Sequence, residues 1–244
     1  MTFAVSTPLN DAHIVIFGGS SGIGLATAKA AKAAGATVTL VGRTAAKLEA
    51  AADEIGGADI AVAEIAHRKD VEAVFAGIKS VDHLVITAGG LAGGRLAETD
   101  PDELMSAFRE RIAGPLYAIK SALAMMPQSG SIVLTGGQFS DRPPGNGVSV
   151  VSAAVRGIEA LARSLALELK PIRVNVISPG FVDTPLFDVL GSDVRTEILT
   201  GVAQSLPGGR IGRPVEVAEA IIFLLANRYM NAEVLHIDGG GRFV

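Results

Sequence analysis

The chain has 244 residues, enough for one α/β domain with a substantial core. Hydrophobic residues make up 49%, aromatics 5% and glycine 29 positions, a small-residue, tightly packed profile that excludes a disordered or fibrous chain. A net charge of −4 without a basic cluster speaks against nucleic acid, and the lack of cysteine excludes a disulfide framework, a thiol nucleophile and a thiolate metal site, as suits a reducing cytoplasm.

MTFAVSTPLNDAH has no basic start leading into an apolar run, so no signal peptide is expected. HIVIFG (13–18) reads as a buried strand, then a glycine turn and an alanine-rich helix from Gly22 to about Ala34. TVTLVG (37–42) is the next strand and Ala45 to Ile55 the next helix. DIAVAEI (59–65) and HLVIT (83–87) flank a helix starting near Asp70. Asp100-Pro101 opens a long helix to about 126, with Asp as N-cap and Pro at the first position. SIVLT (131–135) and RVNVIS (173–178) flank a helix at about 149–169. The stretch from Gly180 to Gly212 reads as irregular, longer than an ordinary connection and so a candidate substrate lid. A last helix starts near Pro214, and EVLHID (233–238) closes the series. The longest strongly apolar run, AIIFLLA at 220–226, is far short of a membrane span.

Seven strands separated by helices, most bare of polar residues, predict one doubly wound α/β domain over 1–244, a seven-stranded parallel sheet with helices on both faces. Gly18-Gly19-Ser20-Ser21-Gly22-Ile23-Gly24 lies between the first strand and the first helix, where a phosphate-binding turn belongs. Glycine permits close approach of a pyrophosphate, and the helix start offers free N–H donors.

The spacing GGSSGIG resembles that of the short-chain dehydrogenases/reductases, and the resemblance runs along nearly the whole chain. Thr87-Ala88-Gly89 stands where that family has Asn-Ala-Gly. Arg173-Val174-Asn175, the run Ser178 to Thr184, Arg210 to Pro214 and Ile237-Asp238-Gly239-Gly240 also match. The resemblance implies a Rossmann-type fold and a nicotinamide dinucleotide. Gly18, Ser20, Ser21, Gly22, Ile23 and Gly24 would line the pyrophosphate and ribose. Thr87, Ala88 and Gly89 would pass beside the adenosine ribose, and Pro179, Gly180, Val182 and Thr184 would hold the carboxamide. A carboxylate ending the second strand would bind the adenosine 2′-hydroxyl. This chain has Gly42-Arg43-Thr44 instead, and Arg43 suits a 2′-phosphate, so NADP(H) is favoured over NAD(H). Glu64 stands where an Asp meets the adenine in relatives.

Carbonyl-reducing members use Ser, Tyr, Lys and Asn, with Tyr and Lys four residues apart on one helix face. Aligning back from LARSLALEL (161–169) puts Val151 and Val155 at the Tyr and Lys positions, Gly137 at the serine and Arg111 at the asparagine. The only tyrosines, Tyr117 and Tyr229, have no lysine four residues on. Proton transfer needs a titratable group in reach, which two valines do not supply.

Three readings follow. The chain is an NADP(H)-dependent oxidoreductase acting on an activated small molecule such as an iminium, quinone-like ring or enone, with Arg111 stabilising negative charge. Alternatively it binds NADP and catalyses nothing, as a sensor or as the oligomer partner of an active relative. The third reading, a non-redox reaction, has no use for the nicotinamide-side segment. The first is preferred, because Pro179, Gly180 and Thr184 orient a ring that a mere binder needs less. Gln138, Ser140, Asp141, Ser149 and Ser152 flank the same region; turn and helix-cap roles compete with any part in the chemistry, just as a structural ion pair competes for Arg111. Phe181, Leu186, Phe187, Val189 and Leu190 either line an apolar pocket or pack the lid. The four histidines lack ligand spacing, so no metal is expected. The small-residue faces of helices 101–126 and 149–169 imply, through the resemblance, a homodimer or homotetramer.

Overall fold

Runs such as Ile14-Val15-Ile16 have no polar face to offer water, so the central strands must be covered on both sides. The computed structural model describes residues 9–90 and 93–244, and of Leu190 the backbone alone. Strands β1 (His13–Phe17), β2 (Thr37–Gly42), β3 (Asp59–Val62), β4 (His83–Ile86), β5 (Ser131–Thr135), β6 (Arg173–Pro179) and β7 (Val234–Ile237) form one parallel sheet in the order 3-2-1-4-5-6-7. Register is continuous across the centre, with Val15 opposite Thr39 on β2 and Leu84 on β4.

In chain order the helices among the described residues are α1 (Gly22–Ala33), α2 (Ala45–Glu54), α3 (Arg68–Ala76), α4 (Pro101–Leu104), α5 (Ser106–Phe108), α6 (Gly114–Ala122), α7 (Ser149–Glu168), α8 (Ser192–Ser205) and α9 (Pro214–Ala226). Alternate strand residues feed two cores. Val15, Phe17, Leu134 and Val176 pack with α3, α6 and α7, while Ile14, Ile16, Val133 and Ile177 pack with α1, α2 and α9. The strand order reverses between β1 and β4, which opens a crevice beyond their carboxyl ends.

Four elements differ from the sequence reading. β3 stops at Val62 rather than residue 65: Ala63 still donates to the Gly42 carbonyl (2.9 Å), but the Glu64 N–H turns to the Asp70 carboxylate (3.2 Å). α3 accordingly starts at Arg68, with Asp70 inside its first turn. Asp100 caps as expected, its Oδ1 accepting the Asp102 N–H at 2.8 Å, yet the helix beyond is segmented, with a π-helical turn at Arg109–Ala113 between α5 and α6. The stretch 180–212 is not irregular throughout: it contains a 3₁₀ turn at Pro185–Leu190 and the 14-residue α8. Only Leu199 of α8 is buried, so this helix has almost no apolar stripe to read from sequence.

Arg173-Val174-Asn175 has a structural task. Arg173 donates to the carbonyls of Leu224 (2.8 Å), Leu225 (2.7 Å) and Met230 (3.0 Å), closing the carboxyl end of α9. Asn175 donates to Met230 and accepts from the Glu233 N–H, fixing the approach to β7. No helix among the described residues is long and apolar enough to cross a membrane.

Candidate active site

The glycine turn is built by close approach. Gly18 has φ +84°, and a Cβ there would lie 2.7 Å from Thr87 Oγ1 and 2.8 Å from the Ala88 nitrogen; one at Gly24 would also fall 2.7 Å from Thr87 Oγ1. Thr87 is held in turn by donating its hydroxyl to the Phe17 carbonyl at 2.9 Å. Gly22 opens α1 against Thr184, whose Cβ is 3.2 Å from where a Gly22 side chain would start. Ser21 precedes the helix without a side-chain cap bond, and the first turn carries no acidic residue, so its N–H donors stay open.

Ser20 sits beside Gly42 at the end of β2. Arg43 follows, largely exposed, its Nη1 3.7 Å from Glu64 Oε2 across the gap between β2 and β3. Thr44 precedes α2 without a cap bond. Gly18, Ser20, Ser21, Gly22, Gly24, Arg43, Thr44, Glu64 and Ala88 thus form one rim along the carboxyl ends of β1 to β4.

Beyond that rim lies a cleft of about 700 Å³, counting space open to solvent. Of the residues that the resemblance assigns to cofactor or chemistry it is lined by Ile23, Thr87, Gly89, Pro179, Gly180, Val182 and Thr184, and by Arg111, Gly137, Val151 and Val155, the four that the sequence reading set at the family's catalytic positions. The two valines face the same way, four residues apart on α7, and are sealed with Ala107 of α5 in a small apolar cluster.

Arg111 sits in the π-helical turn, a distortion that often marks a functional position. Its guanidinium lies over Gly89, with Cζ 3.0 Å from where a Cβ would be, and Nη2 donates to the Gly90 carbonyl at 2.8 Å. The neighbouring Glu110 accepts the Gly90 N–H at 2.8 Å. Consecutive residues therefore grip Gly90 by both its N–H and its carbonyl. Nε is buried without a partner, and no carboxylate pairs with Arg111 among the described residues. Burial lowers its pKa and Glu110 opposes the shift, but a guanidinium so placed stays charged. Two further cleft-lining atoms, Thr135 Oγ1 and Gln138 Oε1, are also buried and unpaired.

The other wall is aromatic. Phe139 meets Phe181 edge-on at 6.1 Å between centroids, and Phe181 stacks on Phe187 at 5.8 Å. Leu186 joins them in the lining, whereas Val189 points to solvent (79% exposed) and the Leu190 side chain lies outside the described residues. Arg195 of α8 pairs with Asp183 and, at 3.2 Å, with Asp188, which ties α8 to the turn carrying Phe187.

Of the flanking polar residues, Gln138 lines the cleft, but neither Ser149 nor Ser152 caps α7: Val148 holds that position without a side-chain bond. Ser140 and Ser152 have buried, unpaired hydroxyls. Asp141 joins a chain the sequence did not suggest: it bonds His236 Nε2 (2.9 Å) and Arg156 (3.2 Å), and Arg156 reaches Glu159 (2.8 Å), which is almost fully buried. Glu110 was missed as well. The one signal available for it was its place beside Arg111 near the Asn-Ala-Gly position.

With the parallel sheet, the glycine turn and the Pro-Gly segment meeting at one crevice, the molecule is a Rossmann-type α/β protein of the dinucleotide-binding class. The chain belongs to the short-chain dehydrogenase/reductase superfamily, a group of oxidoreductases: residues 18–241 match the family described as enoyl-(acyl carrier protein) reductase. It is 33% identical to human 3-oxoacyl-[acyl-carrier-protein] reductase, over 94% of this chain and 98% of that protein. Among solved structures it resembles the MalC reductase/Diels-Alderase of Malbranchea aurantiaca (TM-score 0.90, 27% identity, 97% of this chain and 98% of that one). It also resembles a small-chain dehydrogenase in complex with NADPH (TM-score 0.84, 30% identity, 96% of this chain and 100% of that one).

Proposed function

We propose that this chain is an NADP(H)-dependent oxidoreductase that reduces an activated small molecule without a Tyr/Lys pair. The observation that carries the proposal is Arg111: a guanidinium with a buried, unpaired Nε, held in place by Gly89 and Gly90 and facing a cleft with no other charged side chain among the described residues.

The residues present fit a dinucleotide. The uncapped start of α1 suits a pyrophosphate, and the Gly18 and Gly24 cradle leaves room that a Cβ would fill. Pro179, Gly180, Val182 and Thr184 would hold the carboxamide end, and Ala88 and Gly89 would flank the ribose. Exposed Arg43 is held only loosely by Glu64, which leaves it available for a 2′-phosphate and favours NADP(H) over NAD(H). The relative solved with NADPH supports that preference.

When bound, the reduced nicotinamide supplies a hydride equivalent to the acceptor. Arg111 donates a hydrogen bond to the oxygen or ring system on which negative charge grows. Its pinning by Gly90 means that little reorganisation is needed at that moment. Arginine is a poor proton source, so the proton comes from water entering beside Thr135 and Gln138. Val151 and Val155 exclude water from the floor and contribute no acid. Acceptors that need strong protonation of a plain carbonyl are therefore excluded, and conjugated acceptors whose oxygen takes up the negative charge suit the site. The reductase names of the human and Malbranchea relatives agree with a reductive role.

The first test is a titration with NADPH and with NADH followed by nicotinamide fluorescence, which the absence of tryptophan favours. NADPH should bind more tightly and change its emission, and enone and quinone acceptors should then oxidise it. Arg111→Met should lower turnover about 100-fold, the loss typical of one oriented charge stabiliser. Unchanged turnover in that variant removes Arg111 from the mechanism. Binding without turnover on any acceptor class supports instead the reading of a non-catalytic NADP-binding homologue, for which the sealed valine pair is the favouring observation.

A further inference from the structure

The cleft has two chemically distinct ends, and together they specify a ligand more closely than the reaction class does. Phe139, Phe181 and Phe187 come from the turn after β5 and the segment after β6, yet form one continuous aromatic wall. Phe139 and Phe181 are only half-buried and turn part of their surface into the cleft. Such a surface prefers a flat π-system, which can stack or meet the rings edge-on. At the other end, Arg111 brings a positive charge with no ion-pair partner among the described residues, Glu110 acting on it only from its own bond to the Gly90 N–H, while its Nε lacks a hydrogen-bond acceptor. A charge so placed is costly until it finds an anionic partner. Among the described residues no Asp, Glu, Lys or His lines the cleft.

We infer that the acceptor is a planar, conjugated molecule bearing an anionic oxygen, its ring against Phe139 and Phe181 and its oxygen on Arg111. The inference rests on the reductase reading above and adds the substrate class. Bidentate geometry is available to a carboxylate or to the two oxygens of an ionised hydroxy-quinone, and a guanidinium is better suited to both than an ammonium would be. The same arrangement disfavours cationic amines and flexible aliphatic substrates, which would forfeit both ends of the site.

The probes are 2-hydroxy-1,4-naphthoquinone, an anion at neutral pH, and neutral 2-methyl-1,4-naphthoquinone. Each is titrated calorimetrically into the full chain, alone and with saturating NADP⁺, which cannot reduce them. The anion should bind at least about ten-fold tighter than the neutral ring. Arg111→Met should abolish that ratio while leaving the neutral ring's affinity within two-fold or so. Phe181→Leu should weaken both probes about five-fold, as loss of an aromatic pair does. If that variant does not fold, Phe139→Leu, checked by circular dichroism, replaces it.

Equal or tighter binding of the neutral ring overturns the inference, as does a Phe variant that folds and binds both probes normally. An Arg111→Met protein that loses NADP⁺ affinity but keeps the anion preference also overturns it, because the guanidinium then serves the cofactor. Failure of the reductase reading looks different: the anion preference persists, but NADPH is never oxidised. Conversely, NADPH oxidation with neutral acceptors preferred leaves that reading standing and removes this one.

Discussion

Arg156 and Glu159 stand three residues apart on α7, one largely exposed and the other nearly sealed from water, with one Glu159 oxygen on the guanidinium and the other unpaired. The cost of this pair falls on the carboxylate, since Arg156 stays hydrated whether or not it has a partner. Replacing Glu159 by Leu should therefore leave stability unchanged or raise it by about 1 kcal/mol, whereas Arg156→Ala strands a buried charge and should cost about 3 kcal/mol. Urea unfolding of both variants checks the opposite signs. At Arg111 the logic is functional: the 100-fold loss expected for Arg111→Met should come with little change in unfolding midpoint, because the one hydrogen bond lost, to Gly90, is offset by removing a buried guanidinium whose Nε has no partner.

At the scale of elements, the end of α9 depends on a side chain from β6. Arg173 supplies donors to three carbonyls that the helix and the turn after it cannot satisfy alone. Arg173→Met should cost about 3 kcal/mol in denaturant unfolding, and amide exchange should rise first around 224–234. Arg173→Lys should recover only part of the loss, because an ammonium cannot span the three acceptors in a plane. The segment between β6 and α9 behaves differently. α8 buries Leu199 alone and is held at its start by Arg195, so it is moored by ion pairs and little apolar contact. The proposed lid role suits an element with so shallow a hold on the core.

Across the whole molecule, acid sensitivity traces to a buried base. His83 starts β4 with Nδ1 on the Ser131 hydroxyl at 2.8 Å, and burial lowers its pKa to about 4. Unfolding exposes it and restores a value near 6.5, so between those two values the unfolded chain holds more protons than the folded one. Its stabilising contribution is complete above about pH 6.5 and is lost as pH falls towards 4. Between pH 7 and pH 5 the loss should be about 2 kcal/mol, measured as a shift in urea midpoint, and His83→Asn should flatten that part of the profile.

What the chain order determined by itself was local or periodic. Apolar runs made seven strands, Asp100-Pro101 made a capped helix start, and GGSSGIG made the glycine turn between strand and helix, because each of these rests on residues close together in sequence. Val151, Val155, Gly137 and Arg111 could be singled out in the same way, since the resemblance supplies fixed places for the family's Tyr, Lys, Ser and Asn, and the folded chain sets all four on one cleft. Tertiary structure decided the rest. The π-helical turn that lets Glu110 and Arg111 grip Gly90, the meeting of Phe139 with Phe181, and the chain from His236 through Asp141 and Arg156 to Glu159 all join residues from different elements. α8 escaped for a related reason: with one buried residue it has no apolar period, and it is held by partners that only the folded chain brings near. Periodicity records which face of an element is dry. It does not record which neighbour stands there, and in this protein the neighbours form the site.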